Sequence, residues 1–407
     1  MNAVDFLEIM ALVILFGLIF TKLSRIIKLP DVVMFIFAGF LLGPFCLNLV
    51  NIDKHPLAYE LILTFGAAYI LYDGGREIDF KVLRKVKWSV ISLSTVGVIV
   101  SAFITGFFAS KIFKMDFIYA LLLGSVIAST DPSVLVPLFK NLNVDDKLKQ
   151  TIISESAFND AAGAIATFAV LNIITKGTFS LAQSIFDLIK TSIGGILIGA
   201  IVGYVASLLI AHEKYACFEE HPAEISIVAV AGAYVIATKL GVSGFMAVFV
   251  IGMVCGNKKM FGLFIPEQYY VTQTRFKEVM TLILRMMIFI LLGTHINFPL
   301  LLRYWKESLF VVTALIFIAR PISVFVSIIF DRKAEWTFKE IIYLMWVRET
   351  GVIPAALSGM LLTMKVPHAD IISAVTFATI ILTLTLQASS AKILAKLLKI
   401  DRPSMSN

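Results

Sequence analysis

The chain has 407 residues, of which 59% are hydrophobic and only 15% charged. A soluble domain is nearer 45–50% apolar and about 25% charged, so the composition excludes a soluble enzyme or nucleic-acid-binding domain and predicts an all-α polytopic membrane protein. The net charge of +7 lies in short loops, where the orienting charge bias of membrane proteins accounts for it better than a nucleic-acid partner. No polar stretch is long enough to fold alone. The three cysteines, Cys46, Cys217 and Cys255, are odd in number and lack metal spacing, so they read as buried or incidental thiols.

Thirteen apolar spans are predicted, at about 4–21, 31–50, 57–75, 88–112, 116–139, 150–175, 184–211, 222–239, 242–256, 276–295, 307–330, 338–364 and 369–391. The first lacks a preceding basic region and an Ala-x-Ala-like site, so it reads as a span and not a cleaved signal. The ninth is short, and Gly241, Gly244 and Gly252 in and near it predict close helix packing. The loops set the orientation. Lys22, Arg25 and Lys28 fall on one side with Arg76, Lys81, Arg84, Lys85 and Lys87, then Lys140, Lys147 and Lys149. Lys258 and Lys259, Arg332, Lys333 and Lys339, and the tail residues Lys392, Lys396, Lys399 and Arg402 fall on the same side. The other side carries scattered single charges such as Lys54, Lys176, Lys239 and Lys365. The basic side is cytoplasmic by the positive-inside rule, which places the N-terminus outside, the C-terminus inside and an odd number of spans between.

Two spans are interrupted. The fifth contains Thr130, Asp131 and Pro132; the twelfth contains Thr350, Gly351 and Pro354. If the seventh span, 184–211, links two six-span halves, the interrupted spans occupy the same place in each half, and the halves enter the membrane from opposite sides. Paired interrupted spans in an inverted repeat point to a transporter's binding site. The repeat rests on topology alone, since the halves share no visible sequence similarity.

The chemistry concentrates between Ser129 and Asp160. Intramembrane carboxylates cost at least about 2.5 kcal/mol each and usually mark a function; Asp131, Glu155 and Asp160 are three on consecutive spans. Pro132 removes a backbone N–H and frees carbonyls from the helix ladder. Those carbonyls, the Thr130 hydroxyl and the Asp131 carboxylate make an all-oxygen environment suited to a hard cation. The alternative for Asp-Pro alone is a simple kink near a water-filled end. On the sixth span Glu155 and Asn159 are spaced i, i+4, as are Ser156 and Asp160, so four oxygen-bearing side chains share neighbouring stripes. Asp160 is the candidate for a group that binds either a proton or a cation. That competition is all an exchange cycle needs. The alternative is a polar face lining an unrelated vestibule.

The other intramembrane charges need partners. Arg320 follows the apolar run Leu309 to Ala319 and precedes Pro321; Glu155 is its expected partner, and snorkelling to the inner interface is the alternative. Arg285 reads as structural. Arg348 and Glu349, beside the break in the twelfth span, read as a mutual pair in a cytoplasmic funnel. Asp73 reads as facing water at the end of the third span.

Five segments carry a resemblance: ASTDPSVLVP (128–137), ESAFND (155–160), ARPISVF (319–325), GVIPAAL (351–357) and SGFMAVF (243–249). Together they resemble the monovalent cation/proton antiporter family of NhaP type, over nearly the whole chain and in the right order. The resemblance implies an inverted-repeat fold with two crossed, unwound helices. It implies a dimerisation domain, here spans 4–75 and 222–295, and a mobile core, here 88–175 and 307–391, with 184–211 linking them in a homodimer. It implies cation ligands at Thr130, Asp131, Ser156 and Asp160 with Asn159 in support, a Glu155–Arg320 ion pair, and one-for-one electroneutral exchange in a cell membrane without a resident cofactor. One position departs from the family: where an arginine often precedes the glycine of the twelfth-span motif, this chain has Thr350, preceded by Arg348 and Glu349.

Sodium/proton exchange is therefore the leading reading, with potassium/proton exchange beside it, because selectivity depends on cavity size and hydration. A cation channel would need a continuous pore. An intramembrane hydrolase would need a nucleophile–base pair or a protease signature alongside Asp131 and Asp160. A non-transporting sensor would be expected to carry a soluble output domain.

Overall fold

The computed structural model describes residues 3–27, 29–50, 56–131, 139, 142–176, 181–211 and 217–401. Of the residues named above, Lys28, Lys54, Pro132, Lys140 and Arg402, with motif positions 133–137, lie outside these. No strand occurs among the described residues. Helices fall on every predicted apolar stretch: α1 (Ala3–Ile27), α2 (Asp31–Leu42), α3 (Pro56–Arg76), α4 (Phe80–Phe113), α5 (Phe117–Val126), α6 (Asp146–Lys176), α7 (Leu181–Ala211), α8 (Pro222–Lys239), α9 (Gly244–Gly256), α10 (Glu267–Thr294), α11 (Trp305–Ile328), α12 (Phe338–Trp346), α13 (Val352–Thr363) and α14 (Ala369–Leu397). Among the described residues seven helices are long and apolar enough to cross a membrane, and α2, α5, α9 and α13 are shorter apolar helices. Crossing takes about 20 residues, so the 10 residues of α5 and the 12 of α13 are each part of a span.

Boundaries differ from expectation for local reasons. The second span ends as helix at Leu42 because Pro44 follows Gly43, whose backbone is extended there (φ −73°, ψ 177°). The fourth begins at Phe80, because the basic stretch before Trp88 is helical although it is not apolar. Three helices contain a π segment: Leu93–Gly97 in α4, Leu315–Ala319 in α11 and Thr383–Ala388 in α14. In α11 the cause is legible. Pro321 has no N–H to offer the carbonyl four residues back, and the ladder is re-spaced just before it.

The chain divides into two compact units. The first comprises Met1–Tyr59, Lys85–Phe179 and Met286–Asn407. Its helices approach through small residues. A Cβ on Gly124 of α5 would overlap the Ala102 carbonyl of α4; Gly39 of α2 and Gly293 of α10 stand in the same reciprocal relation to Ile290 and Ile36. Lipid gives helices no hydrophobic reason to associate, so backbone-close packing supplies the attraction. Lys147, near the start of α6, is ion-paired with Glu340 of α12 at 2.9 Å and also donates to the Ala334 carbonyl.

The second unit comprises Glu60–Arg84 and Ser180–Arg285. Its core gathers Tyr69, Tyr72, Val230, Ala247, Val248 and Ile251 around α9. Gly252 meets the Tyr72 carbonyl and Gly244 meets the Tyr234 ring, as close packing predicts. Gly241 instead makes a turn, with φ +68° and nothing near its missing Cβ. Asp73 does not face water. It is buried and ion-paired with Lys277 at 2.7 Å, and the Thr281 hydroxyl donates to it. The partner lies some two hundred residues away, on α10, which no local pattern in α3 could announce. Arg285 is buried in the C-terminal half of α10.

Candidate ion-binding site

Two helices end in non-helical stretches that meet. The α5 helix ends at Val126, and residues 127–131 leave it unwound. The α12 helix ends at Trp346, Val347 to Gly351 are non-helical, and α13 starts at Val352. Pro354 explains the second break: a continuous helix would need its N–H to bond the Thr350 carbonyl. In the first turn of a new helix that N–H is not required. The unwound stretches bond to each other, the Asp131 N–H donating to the Glu349 carbonyl at 2.8 Å.

Charges sit at the broken ends. The Asp131 carboxylate accepts the Val352 N–H at 3.1 Å, at the N-terminus of α13. The Arg348 guanidinium donates to the carbonyls of Ile127 and Ala128, at the C-terminal end of α5. An anion at a helix N-terminus and a cation at a C-terminus both complement the aligned peptide dipoles. This placement corrects the expected Arg348–Glu349 pair in a funnel. Both residues are buried, Arg348 is turned onto α5, and neither Glu349 carboxylate oxygen has a hydrogen-bond partner among the described residues.

The α6 helix supplies the rest. Asn159 clasps Thr130 twice, its Oδ1 accepting the Thr130 N–H at 3.0 Å and its Nδ2 donating to Thr130 Oγ1 at 2.8 Å. Thr130 Oγ1 and Ser156 Oγ are hydrogen-bonded at 2.7 Å. The Asn159 amide thereby replaces the helix bond that the break removes. Asp160 is 5% exposed, close enough to Asp131 for their charges to interact, and its Oδ1 has no hydrogen-bond partner among the described residues. Thr130, Asp131, Ser156, Asn159 and Asp160 are thus brought together, all buried. A carboxylate pair with hydroxyls and unwound backbone in a buried site suits a cation or a proton.

Glu155, one turn before Asn159, bonds a different partner. It forms a bidentate ion pair with Arg320, Nη2 to Oε2 being 3.0 Å and Nη1 bonding Oε1. Arg320 also donates to the Leu344 carbonyl, in the last turn of α12, through Nε at 3.2 Å and Nη2 at 2.9 Å. The pair therefore binds α6, α11 and α12 together next to the break, and snorkelling is ruled out. Gly351 is fixed by its neighbour, since a Cβ there would overlap the Asp131 carboxylate. Gly351→Ala is expected to displace Asp131, to lower the melting temperature by an overpacking cost of about 1–3 kcal/mol, and to remove cation binding. A variant melting and binding like wild type would show that the packing there is loose. Two residues touching this region escaped the sequence reading. Thr383 of α14 bonds the unwound part of the twelfth span and Gln387 bonds the last residue of α12 just before it, and nothing in their surroundings in sequence distinguishes them from routine polar residues in a span.

Fold and site together define a class: a polytopic membrane protein with oxygen-bearing side chains converging where the non-helical stretches of two spans meet, a feature of secondary transporters. The family model described as "Sodium/hydrogen exchanger, transmembrane" matches residues 11–397. The chain belongs to that family. It is 27% identical to the probable Na(+)/H(+) antiporter 2 of Methanocaldococcus jannaschii, over 100% of both chains. It is 26% identical to the K(+)/H(+) antiporter NhaP2 of Shewanella oneidensis, covering 98% of this chain and 68% of that protein. The solved structure of the sodium proton antiporter MjNhaP1 from M. jannaschii at pH 8 is similar with a TM-score of 0.81 and 26% identity, covering 96% of this chain and 97% of that one.

Proposed function

We propose that this protein exchanges sodium ions for protons across a membrane by alternating access, one for one. The observation that carries the reading is Asp160, a buried carboxylate beside Asp131 with one oxygen unbonded among the described residues. Asp160 trades a proton for a cation, Asp131 with Thr130 and Ser156 completes the ligand set, and Asn159 holds Thr130 in place. The sodium/proton antiporters among the relatives support the choice of ion. Potassium/proton exchange is the second reading, favoured by the similarity to NhaP2.

The same proposal places the protein in the cell membrane as a homodimer, N-terminus outside and C-terminus in the cytoplasm. Spans 4–75 and 222–295 form the dimerisation scaffold, spans 88–175 and 307–391 the moving core, and 184–211 the link. That division concerns which helices move together, whereas the two compact units record packing in one conformation. The protein performs no covalent chemistry and needs no resident cofactor; its partners are the transported ions, the lipid bilayer and a second copy.

Stoichiometry supplies the test. Asn159 is neutral and Glu155 is held by Arg320, which leaves Asp160 as the group that titrates in each cycle. No net charge then moves. In proteoliposomes, sodium-driven proton flux is expected to be independent of a potassium diffusion potential set by valinomycin; additions of lithium and, without valinomycin, potassium rank the ions. A rate that changes clearly with the imposed potential would sink the one-for-one model and bring Glu349 forward as a second titrating group. Absence of flux with all three ions would sink the antiport reading itself.

A further inference from the structure

We propose that Thr383 and Gln387 of α14 are positioning residues for the unwound stretch of the twelfth span, doing for it what Asn159 of α6 does for the unwound end of α5. The helix that follows each broken span reaches back to it. In the first case Asn159 Oδ1 accepts the N–H of Thr130, immediately before Asp131. In the second, Thr383 Oγ1 accepts the N–H of Thr350, immediately before Gly351, at 3.1 Å. Thr383 sends its own proton toward the Ile380 carbonyl at 3.3 Å, which leaves its lone pairs for Thr350. Four residues on, Gln387 Nε2 donates to the carbonyl of Trp346, the last residue of α12, at 2.6 Å. That carbonyl would otherwise face a helix end without its i+4 donor.

Both side chains are fully buried and both lie in the π segment Thr383–Ala388. A π segment re-aims the residues it carries and is common at functional sites. The two bonds bracket the unwound stretch, one at each end. The stretch in turn sets the ion site, because the Val352 N–H donates to Asp131 Oδ2 only two residues beyond Thr350. Without Thr383 the buried Thr350 N–H loses its acceptor, and a buried unpaired donor is expensive enough to shift the backbone that presents it. The cation affinity should therefore depend on two side chains that never touch the cation.

Thr379 provides a matched control. It is one turn earlier on the same helix, equally buried, and its hydroxyl bonds within the helix, to the Val375 carbonyl at 2.7 Å. The proposal rests on the exchange function for one readout and is independent of it for the other. In the full-length purified protein, amide hydrogen exchange over 347–352 is expected to accelerate in Thr383→Val and Gln387→Leu and to stay at the wild-type rate in Thr379→Val. In proteoliposomes, the half-saturating sodium concentration of Thr383→Val is expected to rise about tenfold with a nearly unchanged maximal rate, and Thr383→Ser is expected to restore it. Wild-type amide exchange over 347–352 in Thr383→Val overturns the proposal, as does the same acceleration in Thr379→Val. If wild-type vesicles show no cation-driven proton flux, the exchange function fails while the amide exchange still decides whether Thr383 positions the stretch.

Discussion

Asp160→Asn is expected to reduce sodium-driven proton exchange by about a hundredfold or more, the factor that loss of one charged hydrogen-bonding group of up to about 3 kcal/mol produces, while the protein still folds. The asparagine amide keeps the volume of the carboxyl group, so packing between α6 and the unwound stretch of the fifth span is preserved. What is lost is the one group that can carry a proton in one half-cycle and face a cation in the other. Asp131→Asn is expected to act differently. It removes a charge from the N-terminus of α13 and should weaken sodium binding before it stops proton exchange. The wild-type protein should show the matching pH behaviour. At low pH, protons compete with sodium for Asp160, and raising the sodium concentration should relieve the inhibition. At high pH, protons become the scarce returning substrate and the rate falls again. Proteoliposome fluxes across pH at several sodium concentrations test both limbs. An Asp160→Asn protein exchanging at near wild-type rates would remove Asp160 from the centre of the cycle.

Breaking the Glu155–Arg320 pair should cost stability more than any other single change near the site. Each partner is almost fully buried and each binds the other through both ends of its planar group. Glu155→Ala would leave the guanidinium hydrogen-bonded, among the described residues, to the Leu344 carbonyl. Arg320→Ala would leave the buried Glu155 carboxylate without the guanidinium that bonds both its oxygens. A lone buried charge of this kind costs about 3–5 kcal/mol. Both variants are expected to show sharply reduced folded yield and melting temperature. The double replacement Glu155→Gln with Arg320→Met leaves no charge and should recover part of the loss. In a thermal double-mutant cycle the coupling should exceed the few tenths expected of independent sites; purely additive losses would show that the two residues do not support each other. Because the pair links three helices next to the break, residual transport in the double variant would also show that the pair is a brace and not a participant.

How much of this was legible in the sequence follows from the range of each interaction. The run of apolar residues alone fixes a polytopic helical membrane protein, because lipid leaves a backbone no other way to satisfy its own hydrogen bonds than within a helix or a closed barrel. The i, i+4 spacing on α6 placed Ser156 with Asp160 and Glu155 with Asn159, since helix geometry is local and repeats. The breaks beside Asp131 and at Gly351 were visible because proline and glycine act on their own turn. The Glu155–Arg320 pair was reachable by a cost argument, as each charge is too expensive to bury alone. Tertiary structure decided the rest. Arg348 could not be assigned to the end of α5, nor Asp73 to Lys277, because those partners are about two hundred residues distant and leave no periodic trace. Thr383 and Gln387 look in sequence like any polar residue that bonds its own helix, as Thr379 does. Only the approach of α14 to the unwound stretch turns them outward, and that approach is set by packing among helices, which a linear pattern does not encode.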